Sequence, residues 1–301
     1  MNNIIIVAFC LLAGIFIKKF KGLPHNSYKI INAWLINIAI PVIALKYLPT
    51  IQWDKQLITP ILIPFGLWFL AIIFTILLSR FIKMDKATKA TVLLMIGLAN
   101  TSFLGFPITQ AFYGDEALKI AILIDQATFI VMSTFGVISA TKAASHIAFK
   151  ANKIIRQIVL FPPFLAMIAA FILPLFIDLS PAKPIFNAIG ATLVPLAIFS
   201  VGFQLTIKDW KVDIKLISWS LLYKLIITPL IVLLFCYIAK VNGVTGKVTV
   251  LEAAMAPRVT AAIIAAEYHL NTKLANMILS FGILIGFLTA AIWWLLPSSL
   301  L

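Results

Sequence analysis

Two charged residues stand where a lipid-embedded helix would carry none. Arg258 lies deep inside an apolar run, and Asp125 sits in ILIDQATF with Gln126 beside it. An arginine at the centre of a membrane helix costs roughly 2.5–3.5 kcal/mol on insertion scales, so it must face a partner or water. Arg258 is therefore a clamp that grips a carboxylate through two hydrogen bonds, the partner of an internal acid, Asp125 or Glu252, or a side chain packed against loosened carbonyls. Asp125 is correspondingly either a protonatable coupling group or that structural partner. Asn100, Thr101 and Ser102, with Thr260 two residues after Arg258, add hydroxyl and carboxamide groups that can bind a ligand or freed backbone.

These residues fall in two segments that read as interrupted helices. The first, 93–118, is LLMIGLANTSFLGFPITQAFYGDEAL, and the second, 250–274, is VLEAAMAPRVTAAIIAAEYHLNTKL. Gly97, Gly105 and Pro107 bracket the polar trio. Glycine weakens a helix, and Pro107 suits the first turn of a new half-helix. Pro257 plays the same role in the second segment. Two half-helix N-termini are then expected to meet, each with free N–H groups and a partial positive charge that favour anions. Irregular backbone at bilayer depth is tolerated only where it is buried in protein or lines a cavity.

Composition places the elements in a membrane. The chain is 62% hydrophobic and 11% charged, against roughly 25% charged in soluble domains. Apolar runs long enough to cross a bilayer recur with basic connections between them, and the expected spans are 3–17, 30–48, 57–79, 91–112, 119–140, 158–177, 185–206, 216–239, 248–268 and 274–296. Of 24 Lys and Arg, 16 fall in one alternating set of connections and 6 in the other. The positive-inside rule puts the richer set in the cytoplasm and both termini outside. This arrangement explains the net charge of +14 without nucleic acid. Tyr28, Trp53, Trp210, Trp293 and Trp294 mark span ends as interfacial aromatics do. Lys21 follows the first run where a signal peptide would need its charge in front, so that run reads as a retained span. Lys150, Lys208 and Lys211 belong to the basic set.

Dividing the chain at its longest basic connection gives a first five-span half at 1–140, a linker at 141–157 and a second half at 158–301. An odd number of spans per half makes the second an inverted copy. INAWLINIAIPVIALKYL (31–48) and FNAIGATLVPLAIFSVG (186–202) share an early Asn, Asn32 and Asn187, and a central Pro, Pro41 and Pro195. Tyr113 and Tyr268 likewise precede equivalent tight connections. Each central Pro loosens the carbonyl four residues earlier, that of Asn37 or Ala191, or simply kinks its helix.

The remaining polar residues read more plainly. Cys10 and Cys236 lie in apolar runs as small buried hydrophobes. Lys224 snorkels or pairs, Glu252 lies near the outer end of its span, and Asp115 and Glu116 sit in a solvated outer turn. His25, His146 and His269 fall in connections, and a single deep Asp cannot form an aspartyl dyad. No cofactor, metal site or enzyme chemistry is expected.

The stretch GLANTSFLGFPITQAFYGDEAL with ILIDQ, together with LVPLAIFSVGFQL and AAMAPRVTAAIIAAEYHL, resembles the auxin efflux carrier family of membrane transport proteins over essentially the whole chain. That resemblance implies an all-α integral membrane fold of ten transmembrane helices in two inverted five-helix repeats, with helices four and nine crossed and broken. Sodium–bile acid symporters share the architecture. It also implies a scaffold of spans one, two, six and seven, through which a homodimer fits, beside a mobile transport unit. Asn100, Pro107 and Pro257 fall on the family's crossover positions. Family substrates are the plant auxin indole-3-acetate and small carboxylates such as malate or malonate. The expected function is secondary transport of a small organic anion across the inner membrane, coupled to H⁺ or Na⁺. The alternatives are sodium-coupled uptake of a larger amphipathic anion, and a channel or receptor. Arg258 after the proline, and the short 141–157 connection in place of a long cytoplasmic loop, depart from the plant members.

Overall fold

The computed structural model describes residues 2–20, 22–24, 26–144, 151–205 and 213–301. Lys21, His25, His146, Lys150, Lys208, Trp210 and Lys211 lie outside the described residues. All regular structure among those described is helical, apart from one isolated β-bridge. The segments are α1 (Asn2–Lys19), α2 (Ser27–Thr50), α3 (Lys55–Phe81), α4 (Lys86–Gly97), α5 (Phe106–Tyr113), α6 (Asp115–Ala143), α7 (Ala151–Val159), α8 (Pro162–Leu175), α9 (Ser180–Gln204), α10 (Ile214–Ile238), α11 (Gly243–Ala253), α12 (Val259–Glu267) and α13 (Thr272–Leu295). Six of them, α2, α3, α6, α9, α10 and α13, are long and apolar enough to cross a membrane. Large apolar side chains such as Ile58, Leu62, Phe69, Ile73 and Ile76 of α3 are exposed. An exterior of this kind is solvated by lipid rather than water.

The helices form two compact units, 1–54 with 102–122 and 155–205, and 55–101 with 123–154 and 206–301. The first unit holds α1, α2, α5, α8 and α9. Here α1 and α9 approach closely because Gly14 and Gly202 face the partner backbone: a Cβ on either would stand 2.3 Å from a carbonyl oxygen, of Phe199 or Leu11. Small residues at such contacts let membrane helices pack through their backbones. Ser200 donates to Asn32 Oδ1 at 2.6 Å, and the Trp34 indole donates to Thr192 Oγ1 at 3.0 Å. The two central prolines do more than kink. A π-helical turn, Leu35–Ala39, precedes Pro41, and a non-helical turn at 191–192 precedes Pro195.

The second unit holds α3, α4, most of α6, and α10 to α13. Gly97 lies against Trp68, whose Cε3 would be 2.7 Å from an added Cβ. In α10 a π-helical turn, Tyr223–Ile227, runs up to Pro229. Pro229 has no N–H to give the Leu225 carbonyl, and the Trp293 indole supplies the missing donor at 2.8 Å. Trp293 is thus a buried residue of this unit and not the interfacial anchor its place near a helix end suggested. Cys10 is partly buried and Cys236 fully buried, both as free thiols.

Candidate functional site

Both interruptions lie in the second unit, and they are bonded to each other. The first falls at 98–100 after α4, and the second at 254–258 after α11. Ala99 and Pro257 form an antiparallel bridge. The Asn100 N–H donates to the Ala256 carbonyl at 2.9 Å, and the Arg258 N–H donates to the Leu98 carbonyl at 3.0 Å. These two donors are therefore spent on the bridge, and neither is open to an anion as the sequence reading expected. Each break satisfies backbone groups that the other has freed, which is what permits unwound chain away from water.

The bridge rests on a pair of glycines. A Cβ on Gly282 would lie 2.6 Å from Pro257 Cδ, and one on Gly286 would lie 3.2 Å from Ala256 Cβ. Gly282 and Gly286 form a G-x-x-x-G step in α13, so the last long helix offers a Cβ-free seat for the second break. Sequence reasoning passed over this motif, although its spacing is a recognised signal for close approach in an apolar helix.

Arg258 caps α12 in extended conformation, and its side chain turns into a closed polar network. Nη1 donates to Asp125 Oδ1 at 3.0 Å and to Thr101 Oγ1 at 2.9 Å. The Thr101 hydroxyl donates to the same carboxylate oxygen at 2.5 Å. Nε donates to Thr260 Oγ1 at 3.1 Å, and the Thr260 hydroxyl reaches Met132 Sδ at 3.0 Å. Asp125 and Arg258 are both buried. Of the readings left open for Arg258, the structure displays the ion pair with Asp125 rather than with Glu252. Four of the expected site residues, Thr101, Asp125, Arg258 and Thr260, are thereby in direct contact.

The others fall around this network or along its chain. Asn100 and Gln126 are buried, and neither polar atom of either carboxamide has a hydrogen-bond partner. An unmade hydrogen bond on a buried polar atom costs about 1–3 kcal/mol. Ser102 is buried at the start of the π-helical turn Thr101–Gly105, which runs directly into α5. Gly105 and Pro107 consequently lie inside resumed helix, beyond the interruption, with Pro107 in the first turn of α5. Glu252 is buried one residue from the end of α11, at the lip of the break rather than at an outer end. Lys224 does not snorkel: it is buried, and its ammonium donates to the Ala253 carbonyl at 3.0 Å.

A cavity of about 480 Å³ occurs within the first unit, lined by residues of α1, α2, α5, the start of α6 and α9 that include Lys46, Tyr47, Pro107, Gln110, Asp115 and Asn187. Lys46 Nζ donates to the Tyr47 hydroxyl at 2.9 Å, and that hydroxyl donates to Asp115 Oδ2 at 2.8 Å. Gln110 Nε2 donates to Asp115 Oδ1 at 2.7 Å. Asp115 is therefore exposed yet held by two side chains, while Glu116 pairs with Lys119. The cavity escaped the sequence reading because its polar residues come from three separated stretches, none carrying a motif. Its volume suits a small organic ligand. No group of three or more His, Cys, Asp or Glu able to hold a metal occurs among the described residues.

Comparison with known proteins places this geometry in context. The family described as membrane transport protein matches residues 1–294. An uncharacterized transporter of Methanothermobacter thermautotrophicus is 25% identical over 97% of this chain and 96% of its own length. One from Methanocaldococcus jannaschii is 24% identical over 98% of each chain. The uncharacterized transporter YfdV of Escherichia coli K12 is 23% identical over 100% of this chain and 98% of its own.

Proposed function

The chain belongs to the membrane transport protein family, that of the auxin efflux carriers, and from that premise we propose that it is a proton-coupled secondary carrier of a small organic anion. The substrate class is a carboxylate such as malate, malonate or an auxin-like acid, moved by alternating access. One observation carries the reading: an Arg258–Asp125 pair buried at two helix breaks that are bonded to each other. Paired discontinuous helices are where secondary transporters hold substrate and coupling ions.

The pair is electrically neutral, so a second negative charge beside it in a low-dielectric interior is opposed unless a proton arrives as well. Protonating Asp125 removes its charge and releases the Arg258 guanidinium. Asp125 is thus the proton-coupling group. We assign the substrate to the cavity of the first unit, with Lys46 as its cation and Gln110 and Asn187 as neutral partners. Thr101, at the coupling pair, and Pro107, on the cavity wall, lie six residues apart on one interrupted segment.

A second reading makes Arg258 itself the carboxylate clamp, with Asn100, Thr101, Ser102 and Thr260 around the substrate. The unpartnered Asn100 carboxamide favours it. Binding of radiolabelled carboxylates to purified protein, with uptake into proteoliposomes at several pH values, separates the two. In the first reading K46Q loses binding, whereas the charge-neutral D125N/R258Q variant keeps binding and loses the pH dependence of uptake. Lost binding in D125N/R258Q with retained binding in K46Q establishes the second. Sodium-dependent uptake with no proton requirement overturns both.

The ten-span inverted repeat is part of this proposal. It is supported by the paired interruptions, and by the left-handed residue after each repeat-related tyrosine, Gly114 after Tyr113 and His269 after Tyr268. The halves are 1–140 and 158–301, joined by 141–157. The unit that holds α1, α2, α8 and α9 is the scaffold and the surface for a homodimer. The protein sits in the inner membrane with both termini outside.

A further inference from the structure

Lys224 and Glu252 have no place in the scheme above, yet both are buried charges in the second unit. Lys224 stands in the π-helical turn of α10, and its ammonium donates to the Ala253 carbonyl at 3.0 Å. Ala253 closes α11 and lies four residues before Pro257. Proline has no N–H, so residue 257 cannot give that carbonyl the usual helical donor. The carbonyl also belongs to a helix C-terminus, which carries partial negative charge. The Lys224 ammonium supplies the donor that this carbonyl lacks.

The surroundings are those of a hard cation. A cavity of about 20 Å³ is lined by Ala99, Thr101, Thr128, Thr249, Glu252 and Ala253, together with Lys224. The Thr128 and Thr249 hydroxyls give their hydrogens to the carbonyls of Ile124 and Thr245, at 2.8 and 2.6 Å. The Thr101 hydroxyl gives its hydrogen to Asp125. The Thr128 and Thr249 oxygens remain acceptors toward anything else, and that of Thr101 keeps one lone pair beside the bond it accepts from Arg258 Nη1. A carboxylate, a helix-end carbonyl and hydroxyl oxygens form the donor set that holds an alkali cation at an unwound helix. Beside the ammonium the space is that of about one water.

We propose that Lys224 is a tethered cation that occupies, at the second helix break, the position a coupling sodium ion would otherwise take, with Glu252 as its counter-charge. The protein therefore needs no sodium, and removing the ammonium creates a sodium site.

The test is thermal unfolding of purified full-length protein in sodium, potassium or choline chloride at equal ionic strength. It involves no substrate, so its outcome is independent of the carrier reading. Wild type is expected to unfold at one temperature in all three salts. K224S, which opens the space and adds a hydroxyl, is expected to gain a saturable rise of about 5 °C in sodium alone, at concentrations well above its Kd. K224S/E252Q is expected to lose that rise. A sodium-specific rise in wild type overturns the proposal. So does a K224S protein that gains no such rise or fails to fold in sodium, and so does persistence of the rise in K224S/E252Q.

Discussion

Neutralising Asp125 gives the sharpest measure of what the buried pair does for the fold. In D125N the side chain keeps its shape, but Arg258 loses the carboxylate 3.0 Å from Nη1, and Thr101 loses the ionised acceptor of its hydroxyl. At that separation, with an effective dielectric constant near 20, the two charges attract by about 5 kcal/mol. Most of this offsets the desolvation of the two ions, which is why removing one partner costs about 3–5 kcal/mol while removing both is far milder. At roughly 2 °C per kcal/mol for a chain of this size, D125N is expected to unfold about 6–10 °C below wild type. R258Q should fall by a similar amount, and D125N/R258Q should return to within a few degrees of wild type. Cys236 provides the assay: it is a buried free thiol, so in a C10A background, which removes the partly exposed thiol, a thiol-reactive dye reports unfolding in detergent. A double variant as unstable as the sum of its singles refutes the reasoning, because the pair would then contribute through packing rather than charge.

Two further perturbations follow from the same geometry. G282A places a methyl group 2.6 Å from Pro257 Cδ, and overpacking of this kind costs about 1–3 kcal/mol. Its unfolding temperature should drop, whereas G66A, with nothing within 4 Å of its Cβ, should hold or rise. Asp85 caps α4 by accepting from the Thr88 N–H at 2.8 Å, and its hydrogen bonds to Thr88 hold its carboxyl below the usual carboxylate range. The cap therefore contributes fully above the unfolded-state pKa and is lost as pH falls through the lower folded value. D85A should cost about 1 kcal/mol at neutral pH, and its deficit should vanish in acid; a deficit of equal size in acid would show that the carboxylate is not responsible.

The pattern of what was legible in the sequence has a physical basis. Interrupted helices announce themselves because Pro257, Asn100 and Arg258 are costly in an apolar run and have few ways to be satisfied there. The Asp125–Arg258 contact was among the pairings the sequence left open, because buried acids are scarce. The exact seam did not follow. Gly105 and Pro107 looked like the first break, but a proline is tolerated in the opening turn of a helix, so the chain resumes helix at Thr101 and the break retreats to 98–100. Trp293 was misjudged for a related reason. An indole near a helix end reads as an interfacial anchor until Pro229 is seen to orphan the Leu225 carbonyl beside it. Partnerships of this kind depend on which helices are neighbours, and a linear pattern does not carry that information. The cavity around Lys46 was invisible for the same reason.

Charge balance links the two buried pairs to function. Arg258 pairs with Asp125, Lys224 and Glu252 line one small cavity, and as ionised groups the four buried side chains of the second unit sum to no net charge. Buried charges that sum to zero are the least costly to hold in a low-dielectric interior. The two buried cations are held differently. The Lys224 ammonium is tied to a carbonyl that Pro257 leaves without a helical donor. The Asp125 carboxylate instead takes hydrogen bonds from Thr101 and Arg258, and a proton delivered there loosens both donors at the joined breaks. The proposed proton coupling without sodium rests on this difference in how the two buried cations are held.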